Sequence, residues 1–312
     1  MSVKKAYLFL IFGAFTISFA PILARLVQIT TDDYAAMDPT AAAFYRAIIG
    51  GIFLCGILLF QKKPIFKIHK KLAVFLFIGA MFFAVDMTAW YRSIVLVGPG
   101  LATLLASFQV FVLTIVGFLF LKEHPTLIQW LSIPVALLGL ALIVGLDWSQ
   151  IDSSYKLGIF LGLLTAVCYA AYVLSLRGAN KFELESRESK NDPIRLMAVV
   201  SLMIAAILLV FIQLLGESLS VQAPINWLWL ILAGVFCQAI AWVFISYSLP
   251  HVRAAHVGMI ILLQPILAFV WDIVFFDRGI TQLELIGAVI TVVAIYFGSV
   301  QVGNNKKLAA SE

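Results

Sequence analysis

The sequence predicts an all-α integral membrane protein with ten transmembrane helices, arranged as two inverted five-helix repeats. Three observations predict it. Of 312 residues, 63% are hydrophobic and only 12% charged, with mean hydropathy +1.06; soluble domains are about half apolar and about a quarter charged. The apolar residues fall in runs of about 20, the length that crosses a bilayer. The second half of the chain also lies over the first at a fixed offset: Gly79 meets Gly234, Ala84 meets Ala239, Ser93 meets Ser248, Gln109 meets Gln264 and Thr126 meets Thr281.

The spans follow in order. MSVKKAYLFLIFGAFTISFAPILARL begins basic and apolar, like a secretory signal. Its apolar run of about 20 residues lacks a small-x-small cleavage site, so it reads as a retained first span at 7–27. Further runs lie at 40–60, 72–92, 101–121, 126–146, 157–176, 195–215, 226–249, 256–276 and 280–300. Lipid offers no partner to an open strand edge, so such runs are helices. The links at 92–101 and 249–256 are short. The stretch 177–195, RGANKFELESRESKNDPIR, is the longest polar segment and reads as a mobile connector between spans six and seven.

Ten spans place both termini on one side. That side collects 16 of the 21 Lys and Arg residues: Lys4, Lys5, the QKKPIFKIHKK loop, Lys122, the 177–195 segment, Arg253, Lys306 and Lys307. Acidic connections such as TTDDYAAMD and DWSQIDSS lie opposite. The positive-inside rule then puts both termini in the cytoplasm. The net charge of +5 is topological and gives no reason to expect nucleic acid.

Each repeat, 1–150 and 151–312, holds five spans. Five is odd, so the second half enters the membrane upside down. Inverted repeats with a site near the midplane between the halves are the plan of many secondary transporters. The order and spacing of several segments resemble the EamA-type members of the drug/metabolite transporter superfamily: GAFTISFAPILARL, AAFYRAIIGGIFL, AVDMTAWYRSIVLVGPGLATLL, FLFLKEHPTLIQWLSIPVALLGLALIV and SYSLPHVRAAHVGMIILLQPILAFVWDIVFFDRGITQLELIGAVI. The resemblance covers nearly the whole chain. It implies a bacterial inner-membrane carrier of small metabolites: amino acids, nucleosides, vitamins or S-adenosylmethionine. Export is the default direction and import the alternative. Family members usually carry a glutamate near the end of span nine. Glu123 fits in the first repeat, whereas the second has Asp277–Arg278.

Charges inside spans are costly, so they face the bundle interior and mark function or packing. Asp86 lies about 9 Å, six residues, from the outer end of span three. Arg46 lies at similar depth on span two, which predicts an Arg46–Asp86 pair, either a packing device or part of a transport pathway. Arg92, Asp272 and Arg25 sit near the same end as candidate ion-pair or gating groups, with Arg92–Asp272 as the candidate pair. Trp90 is four residues from Asp86, on one helix face. A carboxylate beside an indole suits a cationic or amphipathic ligand; an interfacial anchor is the other reading of Trp90. Gln109 and Gln264 occupy matching repeat positions near mid-span. Gln238, Trp242 and Tyr45 complete the candidate pathway set. Pro21, Pro134 and Pro265 fall within spans, and Pro265, next to Gln264, is the expected hinge.

Other classes fare worse. The histidines, His69, His124, His251 and His256, lie in or beside connections. There is no HExxH and no phosphate-cradling glycine loop, so catalysis, a metal site and a cofactor are not expected. Cys55, Cys168 and Cys237 read as small apolar packing residues. A structural or regulatory membrane subunit is the rival of a different class, and a polar cavity reaching the midplane discriminates against it. The expected partners are a small-molecule substrate, the lipid bilayer and protons as a candidate coupling ion. A homodimer is a candidate assembly, although the scattered glycines give no dimer motif.

Overall fold

The structure is a computed structural model that describes residues 3–29, 34–65, 69–120, 125–144, 152–186, 193–248, 260–261 and 263–299. Glu123, His124, Arg253, His251, His256, Lys122, Lys306 and Lys307 lie outside the described residues. Those described are helical, with turns and short links between helices and no strand. Seven helical stretches are long and apolar enough to cross a membrane: Lys4–Leu26, Pro39–Phe60, Lys70–Val97, Pro99–Phe120, Ser153–Ser175, Ile194–Leu215 and Pro224–Ile245. Leu127–Ile143, Leu263–Phe276 and Gln282–Gly298 are shorter apolar helices.

The elements are α1 (Val3–Ile17), α2 (Ala20–Leu26), α3 (Pro39–Phe60), α4 (Lys70–Val97), α5 (Pro99–Ala106), α6 (Gln109–Phe120), α7 (Leu127–Val144), α8 (Ser153–Ser186), α9 (Pro193–Leu215), α10 (Pro224–Leu232), a π-helical segment (Ala233–Ile240), α11 (Ala241–Ser248), α12 (Leu263–Phe276) and α13 (Gln282–Ser299). α4 packs along α8, α3 along α9, α7 along α13, α1 along α11, and α5 along α12.

The outer surface carries large apolar side chains, Phe60 at 91% exposure and Leu119 at 62% among them. In water such a surface would aggregate; in lipid it is solvated. The inside is built from small residues. Ala41, Ala42, Ala43 and Ala47 are fully buried on α3, which lets α9 and the π segment approach closely. Between lipid-facing helices, close packing replaces the hydrophobic effect as the source of association.

One such approach gives a prediction. A Cβ on Gly139 of α7 would sit 2.7 Å from the carbonyl oxygen of Gly287 on α13. Backbone cannot move aside cheaply, so Gly139→Val is expected to cost about 1–3 kcal/mol, read as a lower unfolding temperature in detergent. Gly56→Val is the control: nothing lies within 4 Å of its Cβ position, and it should leave the temperature unchanged.

Helix ends depart from the apolar runs. The short link at 92–101 contracts to Gly98 alone, with φ +86°, between α4 and α5. The polar stretch after residue 176 is not a connector at its start, since α8 continues to Ser186. Its Ala, Lys, Glu and Leu residues favour helix outside the membrane as well as inside. Asp152 precedes α8 and accepts from the Ser154 amide at 2.8 Å. The Ser154 hydroxyl, then that amide, hold its carboxyl below the usual carboxylate range.

Three helices break at the level of the interior. α1 gives way to α2 at Ser18–Phe19, where Pro21 enters the first turn of α2 without an N–H to donate. α5 ends at Ser107, whose hydroxyl bonds back to Thr103 O at 3.0 Å. The π segment separates α10 from α11. Pro265 is the third residue of α12, and the stretch before that helix lies largely outside the described residues, as does any hinge there.

Candidate functional site

α4 presents Phe83, Asp86, Met87 and Trp90 at helical spacing along one face. These four line a cavity with Arg46 from α3, Ile17 from α1, Thr103, Ala106, Ser107 and Gln109 from α5 and α6, Thr165 and Tyr169 from α8, Trp242 from α11, and Ile261 and Gln264. The empty space is about 620 Å³, mouth included. Two of the three helix breaks border it directly, at Ile17 and at Ala106–Gln109.

Arg46 and Asp86 are each only 5% exposed. The expected Arg46–Asp86 ion pair is not among the pairs formed by the described residues. Asp86 Oδ1 and Arg46 Nε have no hydrogen-bond partner, nor has Gln109 Oε1. Arg46 instead lays its guanidinium 5.6 Å from the centre of the Trp90 ring, a cation–π contact. The Thr165 hydroxyl donates to the Asp86 backbone carbonyl at 3.3 Å, which ties α8 to α4 beside the carboxylate. The pairing fails because α3 and α4 bring the two groups to one cavity without bringing them into contact. A desolvated charge without a partner costs several kcal/mol. Both charges occur once: at the repeat offset, Arg46 falls on Ser201 and Asp86 on Ala241.

Two other candidates stand apart from the cavity lining. Gln238 donates to Ser201 Oγ at 3.1 Å and packs on Gly50. The Tyr45 hydroxyl donates to Leu219 O at 2.9 Å, and its ring meets Trp227 edge-on. Neighbouring residues on a helix point about 100° apart, so Tyr45 cannot follow Arg46 inward.

The other candidate charges gather at the end of the bundle that carries the α3 N-terminus. Arg92 pairs with Glu217, not with Asp272. Glu217 also accepts from the Thr40 amide and hydroxyl, both at 2.9 Å, and from the Ala41 amide at 3.3 Å. Asp272 accepts from the Gly100 amide at 3.1 Å and from Arg278 at 3.2 Å, and Arg278 reaches Glu284 at 3.3 Å. Arg25 donates to Val95 O at 3.2 Å. Glu217 lies in a linker that neither hydropathy nor a motif marks. Its signal is indirect: the first turn of α3 holds no acid of its own, and helix N-termini attract one.

A helical bundle with an apolar outer surface around a cavity that holds buried charges defines an integral membrane protein with an interior site. The model of the EamA-like transporter family matches residues 4–145 and again 156–300, and the chain belongs to that family, of the drug/metabolite transporter type. This is a family of transporters, not of enzymes. The chain is similar to "Uncharacterized transporter YdfC" of Bacillus subtilis (strain 168), 24% identical over 277 residues that cover 86% of this chain and 85% of the relative. A solved crystal structure covers 96% of this chain and 97% of its own at a TM-score of 0.64 and 17% identity, a likeness of fold alone.

Proposed function

We propose that the protein carries a small organic metabolite across the bacterial inner membrane by alternating access, exporting by default, with both termini in the cytoplasm. The ten helical runs form two inverted repeats, 1–150 and 151–312. The double family match at 4–145 and 156–300 supports this division. So does the packing. Counting α1–α2 as span one, α5–α6 as span four and α10–α11 as span eight, contacts join one with eight, three with six, two with seven, four with nine and five with ten. Exchanging the halves returns the same set, as a two-fold axis between them would.

One observation carries the functional reading: a buried carboxylate and a buried guanidinium share a polar cavity without neutralising each other. A solute bearing both an ammonium and a carboxylate supplies each with its partner, and an amino-acid-like metabolite fits. Trp90, Tyr169 and Trp242 give its apolar part a surface, and Gln109 and Gln264 place amides in the same cavity. Energy comes from the solute gradient or from protons.

The test is a thermal-stability screen of the purified protein against amino acids, nucleosides, vitamins and S-adenosylmethionine. A ligand at 100 times its dissociation constant stabilises by about 2.7 kcal/mol. Hits confined to solutes carrying both charges are the expected result. Hits confined to neutral nucleosides would remove the two-charge reading. No hit, together with no movement of any panel member into proteoliposomes, would remove the carrier reading.

A further inference from the structure

The linker after α9 is strapped across the N-terminus of α3. Besides the Glu217 bonds, Ser218 donates its amide to Asp38 Oδ2 at 2.8 Å, and Ala35 donates its amide to Gln222 Oε1 at 3.2 Å. Tyr45 fastens Leu219. Arg92 comes from α4, two residues beyond the cavity-lining Trp90. Thr40 stands six residues, about 9 Å, from Arg46 along α3. The strap therefore caps two of the helices that line the cavity, at the end that carries the α3 N-terminus.

Every one of these contacts joins the first half of the chain to the second. Asp38, Thr40, Tyr45 and Arg92 belong to 1–150; Glu217, Ser218, Leu219 and Gln222 belong to 151–312. Asp272 and Gly100 cross the same divide. Alternating access requires the halves to part at one end while they close at the other, so some of the contacts between them at this end must break in the cycle. The Glu217 cluster suits that role. Glu217 takes donors from two separate helices at once, while the Arg92 side chain is 35% exposed. Water can therefore replace Glu217 at the guanidinium when the linker lifts.

We infer that Glu217, held by Arg92 and the first-turn amides of α3, is the latch of a gate that shuts the cavity at this end, and that its release opens the cavity there. This rests on the carrier reading above. The Asp272–Gly100 contact holds the neighbouring α4–α5 corner in register while the latch moves.

The test uses the full chain with Cys55, Cys168 and Cys237 changed to alanine and Ser107→Cys as the reporter in the cavity wall. A membrane-impermeant maleimide is applied to right-side-out and to inside-out vesicles. Glu217→Gln and Arg92→Gln are each expected to speed labelling from the linker side by roughly tenfold, the shift in a two-state equilibrium that follows loss of one charge-assisted contact. Labelling from the opposite side should slow or hold. Arg92→Gln leaves the bonds of Glu217 to Thr40 and Ala41 in place, so it decides the matter if Glu217→Gln does not fold. Unchanged labelling from the linker side in a folded Arg92→Gln protein overturns the latch and leaves the carrier reading standing. A reporter unreachable from both sides in every variant overturns the carrier reading, and the latch with it.

Discussion

Asp86→Asn is expected to weaken substrate binding roughly 10- to 150-fold while leaving the ligand-free protein nearly as stable as before. Asparagine keeps the shape and removes the charge. Asp86 is buried, its Oδ1 lacks a partner, and it has no ion pair with Arg46. Its carboxylate therefore bears a desolvation cost that few contacts repay. Losing the charge removes that cost together with a through-space attraction to Arg46. The two oppose each other, so the net change in stability should stay within about 1 kcal/mol. Binding is different. A hydrogen bond between charged partners contributes about 1.5–3 kcal/mol, so affinity for a solute bearing an ammonium should fall roughly 10- to 150-fold. Titration by thermal shift and by uptake into proteoliposomes reads both quantities. Arg46→Gln should cause a comparable loss for the same solute through its carboxylate. The opposite pattern, with the unfolding temperature of Asp86→Asn down sharply and affinity kept, would make Asp86 a packing residue.

Much of this was legible in the sequence, because a bilayer imposes a simple rule on composition. Apolar runs and buried charges stand out against it. Arg46, Asp86, Trp90, Gln109, Trp242 and Gln264, singled out as polar or amphipathic groups inside spans, all line one cavity. Hydropathy marks where lipid begins, however, not where helix ends. That is why α8 runs ten residues past the expected boundary at residue 176 and the expected link at 92–101 is a single glycine. Irregular backbone without proline was also invisible. Pro21 announced the break between α1 and α2, whereas nothing in ASFQ announces the end of α5 and nothing in AGVFCQAI announces a π segment. π turns inside helices often accompany function, and this one carries Gln238.

Ion pairing was the least legible part, for a geometric reason. Depth along a span can be counted from sequence, but azimuth and the path of a linker cannot. Arg92 and Asp272 do lie near one end, as counted. Each nonetheless finds another partner: Arg92 takes Glu217 from the linker after α9, and Asp272 takes Arg278 six residues along its own chain. Asp277–Arg278 had marked a departure from the family pattern. The departure has a use, since Arg278 bridges Asp272 and Glu284.

Asp272 should behave as the opposite of Asp86. Its side chain is 4% exposed, and it accepts from both Gly100 and Arg278. α5 and α12 meet closely there: a Cβ on Gly100 would touch Asp272 and Phe269. Asp272→Ala removes the acceptor and leaves a buried amide and a cation short of a partner. Breaking a buried pair costs about 3–5 kcal/mol. Arg278 keeps Glu284 and some water, so a loss below that range, about 2–3 kcal/mol, is expected. Asp272→Asn retains an oxygen for the Gly100 amide and should lose roughly half as much. Unfolding temperatures in detergent, with Arg278→Ala and the double variant completing a cycle, separate the pair from its surroundings. Coupling near zero would mean that Asp272 is held by Gly100 alone and that Arg278 serves Glu284. Coupling above about 1 kcal/mol would make the Asp272–Arg278 pair the fastening of the α5–α12 contact. Two aspartates at similar depth would then differ in kind: one whose charge stabilises the fold, and one whose charge is left for a ligand.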